Sequence, residues 1–403
     1  MTPAPPQPAP ARSETAVASA PAEVAGVSFW DRPIAVPLTI GIATLGLFHA
    51  IVAWTNPGYW GSEPAWDEIY YLGIAREGYQ LPAGDYGSYS AVPFSPGLPL
   101  LLRGLAYLTG LPPMLLRLPA AALLSVAGCV LLAWALRAFS NDIRRNNLVV
   151  AVFAAWPGSI YFRTGYAESL YFPLLAGCFG CLLRRRYLPA AALAALAWFT
   201  RTPAIVLVAA LGTAIVLDTL TPPHDLRRVW RGALQLGLAM PIAALGLLGY
   251  MALLHFQVGD AWAFRKAYAA WGALETQEPR NLELKTLADA WLMPNQPTVR
   301  LSLATFLVIP LVVWPQRTRM PAVLTLFTAG AWLFFLSQDW VSFPFHDMLR
   351  WTAILFPFHF AVVLAFAALP ARCRLPAWGL WFAASLCGFV WCASRFVGGH
   401  YVS

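Results

Sequence analysis

Long uncharged runs separate the few charged residues of this chain. Thirty uncharged residues lie between Arg32 and Glu63, and twenty-eight between Arg231 and Asp260. Further runs cover 118–136, 146–162, 202–217, 301–316, 320–338, 351–371 and 375–394. Each is close to the ~20 apolar residues that cross a hydrocarbon core of ~30 Å. Runs 169–183 and 187–200 are shorter and suit a tight hairpin of short helices. None shows sustained period-two alternation, which argues against a β-barrel. A backbone inside a bilayer must otherwise satisfy itself as helix. The predicted class is an all-α polytopic membrane protein.

Orientation follows from the basic residues. They cluster at Arg144-Arg145, Arg184-Arg185-Arg186, Arg227-Arg228-Arg231, Arg317-Arg319 and Arg372-Arg374. Placing all five clusters in the cytoplasm puts loops 56–92, 164–168, 257–299 and 338–349 on the opposite side. One net crossing must then lie between residue 93 and Arg144, and 112–138 supplies it. Segment 93–110, with Pro93, Pro96, Pro99 and Arg103, is expected to be irregular and re-entrant or interfacial. About eleven crossings result, give or take two. The first 26 residues hold six Pro and eight Ala without periodicity, so 1–28 reads as a disordered cytoplasmic tail and 29–403 as one transmembrane domain. No apolar core of signal-peptide length starts near the terminus, so 34–54 is expected to remain as an anchor. No internal repeat marks an inverted-topology transporter.

Composition sharpens the class. Charged residues make up 11% of the chain, where a soluble domain carries about 25%, so a soluble globular enzyme is excluded. A content of 59% hydrophobic residues demands burial and excludes disorder of the whole. The net charge of +8 is mostly the five clusters; attraction to anionic lipids accounts for it and nucleic acid is not an expected partner. Cys129, Cys178, Cys181, Cys387 and Cys392 lie in apolar runs, where cysteine packs as a small hydrophobe despite the Cys178-x-x-Cys181 spacing. No spacing of Asp, Glu or His demands a metal, and no cofactor is expected.

The chemistry concentrates in the first non-cytoplasmic loop. Residues 64–79 read P-A-W-D-E-I-Y-Y-L-G-I-A-R-E-G-Y. Pro64 suits a first helical turn and Gly78 an end, giving about three turns. Asp67, Tyr70, Tyr71 and Ile74 then share a face of an amphipathic helix lying along the membrane surface. Acids at a helix N-terminus and an aromatic interfacial belt are the bland alternative. The sharper reading is a general base offered to a lipid-linked substrate whose scissile bond sits at headgroup level. Asp67 and Glu68 are adjacent and diverge by about 100° on a helix, so they do not clamp one ion.

This stretch resembles the W-D-x-x-[WFY]-[YF]-L-x-I-A-x-x-G-Y signature of the GPI mannosyltransferase 2 (PIG-V) family and its bacterial relatives, which are GT-C glycosyltransferases. Phe94-Ser95-Pro96-Gly97-Leu98-Pro99 is similar to the family's F-F-P-L-Y-P, departing at Ser95 and Gly97. Trp156-Pro157-Gly158-Ser159 followed by Tyr166-Ala167-Glu168-Ser169-Leu170 resembles its P-x-S … Y-[ST]-E-S-L element. Phe199-Thr200-Arg201-Thr202-Pro203 resembles T-R-[ST]-x-G. Gly259-Asp260 with Trp271-Gly272 resembles a later G-D … W-G loop, and Arg350-Trp351 with Pro357 resembles R-Y … P. The likeness covers about residues 40–370, is densest over 64–99 and 156–204, and thins after 310.

The resemblance implies an inverting transferase taking a sugar, mannose foremost, from a polyprenyl-phosphate donor on the non-cytoplasmic side of the cell membrane. The acceptor would be a glycolipid, a glycan or a protein. Asp67 would be the general base, and Trp66, Tyr70, Tyr71, Arg76, Tyr166, Glu168, Arg201, Trp271 and Arg350 would line the substrate site. The topology derived from charge independently puts Asp67, Glu168, Arg201 and Arg350 on one side. Glu168 also fits as a helix-start charge, and Arg201 and Arg350 as snorkelling helix-end arginines or as ligands of the leaving phosphate. His346 and Asp347 precede Arg350 and belong to the same loop. Another lipid-linked glycan polymerase or ligase, or a secondary transporter, is the alternative function.

Overall fold

The computed structural model of the chain describes residues 28–81, 90–222, 225–270, 284–292, 297–337, 347–400 and 402. Among these residues the structure is helical with no strand. The helices are α1 (Ala35–Thr55), α2 (Asp67–Glu77), α3 (Gly97–Thr109), α4 (Pro113–Leu136), α5 (Ile143–Ala154) and α6 (Glu168–Leu182). They continue with α7 (Tyr187–Thr200), α8 (Ala204–Leu220), α9 (Leu226–Val258), α10 (Ala263–Ala270) and α11 (Leu284–Leu292). The last are α12 (Pro297–Gln316), α13 (Ala322–Leu336), α14 (Met348–Thr352), α15 (Phe356–Ala367) and α16 (Ala371–Val397). Five are long and apolar enough to cross a membrane: α1, α4, α9, α12 extended through its following 3-10 turn, and α16. Six others are apolar but shorter, α3, α6, α7, α8, α13 and α15.

Polar side chains fix how these helices run. At one end, Asp31 pairs with Arg144 at 2.6 Å, tying the start of α1 to the start of α5. Asp218 near the end of α8 meets Arg185 at 2.9 Å and Arg228 at 3.4 Å, and Arg184 donates to the Trp134 carbonyl in α4. Three of the basic clusters therefore gather at this end. At the other end Asn56, just past α1, donates to the carbonyl of Val397 at the close of α16. Glu168, Arg201 and the residues of α14 also lie there, as described below.

Several boundaries differ from expectation. Segment 93–110 is irregular only over 93–96, because Gly97–Thr109 forms a regular helix. Pro99 falls in its first turn, where a missing N–H costs nothing. Arg103 is accommodated by donating to the carbonyls of Ile74 and Ala75 at the end of α2, both at 2.8 Å. Both ends of α3 stay near one end of the bundle. Gly97 abuts Thr200 at the end of α7, and a three-residue link leads to α4, whose Arg117 reaches Glu68. The 146–162 run also divides: α5 stops at Ala154 and Pro157–Phe162 is a 3-10 turn, as a proline without an N–H dictates. Helix α2 begins at Asp67 rather than at Pro64, because Trp66 has a positive φ of 56°. It ends as expected, with Gly78 at φ 84° donating to the Ile74 carbonyl.

The helices that frame the site are short. α5, α6, α7 and α15 have 12, 15, 14 and 12 residues, so each extends about 18–23 Å. Helices of 21 to 33 residues, α1, α4, α9 and α16, stand beside them. Between the short helices is a continuous core in which Phe153, Phe162 and Phe172 stack with centroids 4.7–5.3 Å apart. Arg163, buried to 1%, staples the 3-10 turn to α1 by donating to Thr44 Oγ1 at 2.7 Å and to the Ser159 carbonyl at 2.6 Å.

Candidate functional site

Four segments distant in sequence place their charges together. The start of α2 supplies Asp67, the start of α6 Glu168, the residue after α7 Arg201, and α14 Arg350. Arg350 is the hub. Its Nε and Nη2 donate to the two oxygens of Glu168, the second at 3.2 Å, and its Nη1 donates to Asp67 Oδ2 at 2.5 Å. Arg201 Nη1 lies 2.7 Å from Glu168 Oε1, and Asp347 Oδ1 lies 3.8 Å from Arg350 Nη1. Tyr166 and Tyr161 hold the guanidinium from its faces, with ring centroids at 4.6 and 5.4 Å. The Tyr166 hydroxyl also accepts from the Asp67 backbone N–H at 3.4 Å.

Burial grades the cluster. Glu168 is wholly buried and Arg350 and Arg201 nearly so, whereas the Asp67 side chain keeps 18% of its exposure. Burial pushes the Asp67 carboxyl above the usual carboxylate range. Arg350 pulls it down, and Asp347 and Glu168 push it up again. Burial also works against the Arg350 charge, but Glu168, Asp67 and Asp347 outweigh it and keep the guanidinium ionised. Both partners of this ion pair are thus shifted upward, Asp67 chiefly by burial and Arg350 by the three carboxylates that share it. Among the described residues, three non-glycine residues have positive φ, and two of them, Trp66 and Asp347 (φ 64°), immediately precede elements of this cluster. Such conformations cost about 1–3 kcal/mol each and concentrate at functional sites.

Glu68 has a different task from its neighbour. It is fully buried, accepts from the Gly165 N–H at 2.7 Å and the Tyr59 hydroxyl at 3.2 Å, and lies 3.5 Å from Arg117 Nε. Arg117 in turn donates to the carbonyls of Met114, Tyr59 and Ser62. Burial raises the Glu68 carboxyl, while Arg117 and the Gly165 and Tyr59 bonds pull it down. This second centre anchors α2 against α4 and the 163–167 loop and so aims Asp67. A Cβ on Gly165 would sit 3.0 Å from Glu68 Oε1, and one on Gly158 would sit 2.3 Å from the Leu349 carbonyl, so both backbones must approach closely to seat Asp67 and Arg350. Replacing Glu68 by alanine leaves Arg117 buried without its counter-ion. Thermal unfolding in detergent should show a loss of about 3–5 kcal/mol, whereas Asp67→Asn should unfold near the wild-type temperature.

The sequence-derived site residues divide accordingly. Asp67, Tyr166, Glu168, Arg201 and Arg350 are brought together. Tyr71 is buried at the edge with its ring 6.5 Å from that of Tyr166, and Tyr70 stacks on Phe94 at 4.5 Å. Trp66 is adjacent and 37% exposed. Arg76 is exposed in the last turn of α2, nine residues from Asp67 and hence about 180° around the helix. It does not join the cluster. Trp271 and His346 lie outside the described residues. The sequence reading missed Arg117 and the hydroxyl pair Thr202–Tyr268, whose oxygens are 3.4 Å apart beside Arg201. An isolated arginine within an apolar run was a readable signal for the first. Nothing in the sequence links Thr202 to Tyr268 on α10. Among the described residues no group of three His, Cys, Asp or Glu side chains is arranged to hold a metal.

The fold and this cluster define an all-helical protein, with helices fit for a membrane, whose buried ionic centre opens at one carboxylate. No protein-family model matches the chain, and no curated protein matches it.

Proposed function

We propose that the chain is a multi-pass membrane glycosyltransferase. It moves a sugar, mannose foremost, from a polyprenyl-phosphate donor to a hydroxyl of a glycolipid, glycan or protein, with inversion. The observation that carries this reading is the partly exposed carboxylate of Asp67 on a short helix at the end of the bundle, held by an arginine of the kind that also binds phosphate. In the reaction the acceptor oxygen attacks the anomeric carbon while its proton passes to Asp67. The bond from that carbon to the phosphate oxygen breaks, and the electron pair leaves with polyprenyl phosphate. Arg350 and Arg201 supply the positive charge that the departing oxygens need. Thr202, Tyr268 and the tyrosines around Asp67 offer hydroxyls and ring faces of the kind that hold a sugar.

Topology supports the same reading. Among the described residues eleven helices, α1, α4 to α9, α12, α13, α15 and α16, would by chain order alternate in direction between a basic end and the end that holds Asp67. With each as a crossing, the basic clusters face the cytoplasm and the reaction takes place on the opposite, non-cytoplasmic face.

Purified protein in lipid should consume a polyprenyl-phosphate hexose and release polyprenyl phosphate. Failure with every such donor would reject the activity. Sidedness has its own test: in an Asp85→Cys variant, a membrane-impermeant thiol reagent should label the new side chain in intact cells. Labelling that needs permeabilisation would invert the topology.

A further inference from the structure

The charges of the site do not leave room for an added anion. Around the guanidiniums of Arg350 and Arg201 stand three carboxylates, Asp67, Glu168 and Asp347. Among the described residues of the cluster the formal excess is one negative charge before any substrate arrives. A donor phosphate adds at least one more in a site sheltered from water, where like charges repel strongly. One carboxylate must give way.

Its identity follows from the geometry. Glu168 is wholly buried, uses both oxygens on Arg350 and is also met by Arg201, so its release would strand a charge out of water. Asp347 stands 3.8 Å from Arg350 Nη1, beyond hydrogen-bond length, so moving it frees no N–H of Arg350. Asp67 is different. It holds Nη1 through Oδ2, is the most exposed of the three, and follows a residue whose positive φ already strains the chain.

We infer that Asp67 and the donor's phosphate compete for the same Nη1 group of Arg350, so that a lipid-linked phosphate displaces the carboxylate and turns it toward the acceptor. This rests on the transferase reading and adds an order to it. The base is masked in the free protein, the donor binds first, and its binding makes Asp67 available. Arg350 keeps its two bonds to Glu168 throughout, so the guanidinium does not move while its third partner changes. Once released from Arg350 and faced by Asp347, Glu168 and the phosphate, the Asp67 carboxyl holds a proton more readily and is the stronger base.

A hydrophobic carbodiimide, whose nitrogen takes the proton of a protonated carboxyl while the carboxylate oxygen adds to its central carbon, reads this exchange directly. The wild-type protein in phospholipid is treated with it alone, with polyprenyl phosphate, with the matching polyprenol, or with inorganic phosphate. Adducts at Asp67, Glu68 and Glu168 are then separated by peptide mass spectrometry. Polyprenyl phosphate should raise labelling of Asp67 severalfold over polyprenol, with Glu168 unlabelled. Equal or lower labelling with polyprenyl phosphate than with polyprenol overturns the exchange. An equal rise with inorganic phosphate overturns the assignment to a lipid-linked ligand. No sugar is transferred in this measurement. Its failure therefore leaves the transferase reading intact, and loss of that reading in a transfer assay would leave a positive labelling result standing.

Discussion

Replacing Asp67 by asparagine should reduce sugar transfer from a polyprenyl-phosphate donor by at least ~10²-fold while leaving the fold in place. The amide keeps the shape of the carboxylate and an oxygen that can still accept from Arg350 Nη1, so the contact that orients the side chain survives. What is lost is the ability to take the acceptor's proton. The Glu168–Arg350–Arg201 core is untouched, so thermal stability provides the control. Purified Asp67→Asn protein with full activity would refute the assignment of the base. The wild-type pH profile should agree in sign. The active form of Asp67 is ionised, so kcat/KM should fall as pH drops through its pKa. Burial, with Asp347 and Glu168 nearby, places that acid limb above the ordinary carboxylate value.

Arg350→Lys should be nearly as damaging for a different reason. Lysine keeps the charge but is a point donor, whereas Arg350 spans both Glu168 oxygens and Asp67 with three nitrogens of one plane. An ammonium cannot hold that geometry and also serve a phosphate. Transfer should drop by about 10²–10³-fold, the usual cost of removing one preorganised donor at a developing anion. Because the positive charge stays near Glu168, the thermal midpoint should fall less than in Arg350→Met, where breaking the buried pair costs about 3–5 kcal/mol. A lysine variant with wild-type transfer would show that bidentate geometry is unnecessary and would remove Arg350 from the leaving-group role.

The single-step spacing of Asp67 and Glu68 shows how far a linear reading reaches. Helical geometry alone states that two adjacent acids point about 100° apart and do not act as a pair. The structure agrees: one meets Arg350 and the other meets Arg117. That Glu68 is the structural member and Asp67 the partly exposed one depends on what each direction meets, which local sequence does not encode. The position of Arg76 has the same kind of reason. It belongs to the motif-bearing helix, but half a revolution of α2 carries it away from the cluster.

The sequence by itself determined the helical class, the runs that form the helices, the gathering of basic residues toward one end and the end of α2 at Gly78. Each depends on local composition or on transfer of apolar segments out of water, and both are properties of contiguous residues. It also pointed to Asp67, Glu168, Arg201 and Arg350, through the resemblance of their surrounding motifs to a known family and through the charge-derived topology that puts all four on one side. Only the tertiary structure decided that Arg350 is shared among three carboxylates, that α3 is a regular helix resting on the end of α2, and that Arg117 and Tyr268 belong to the site's surroundings. Asp67 and Arg350 are 283 residues apart, and their 2.5 Å contact exists because the 3-10 turn at Gly158 lets α14 approach closely enough to deliver the guanidinium. Contacts between such distant segments arise from packing, and packing is a property of the assembled helices rather than of any one stretch of chain.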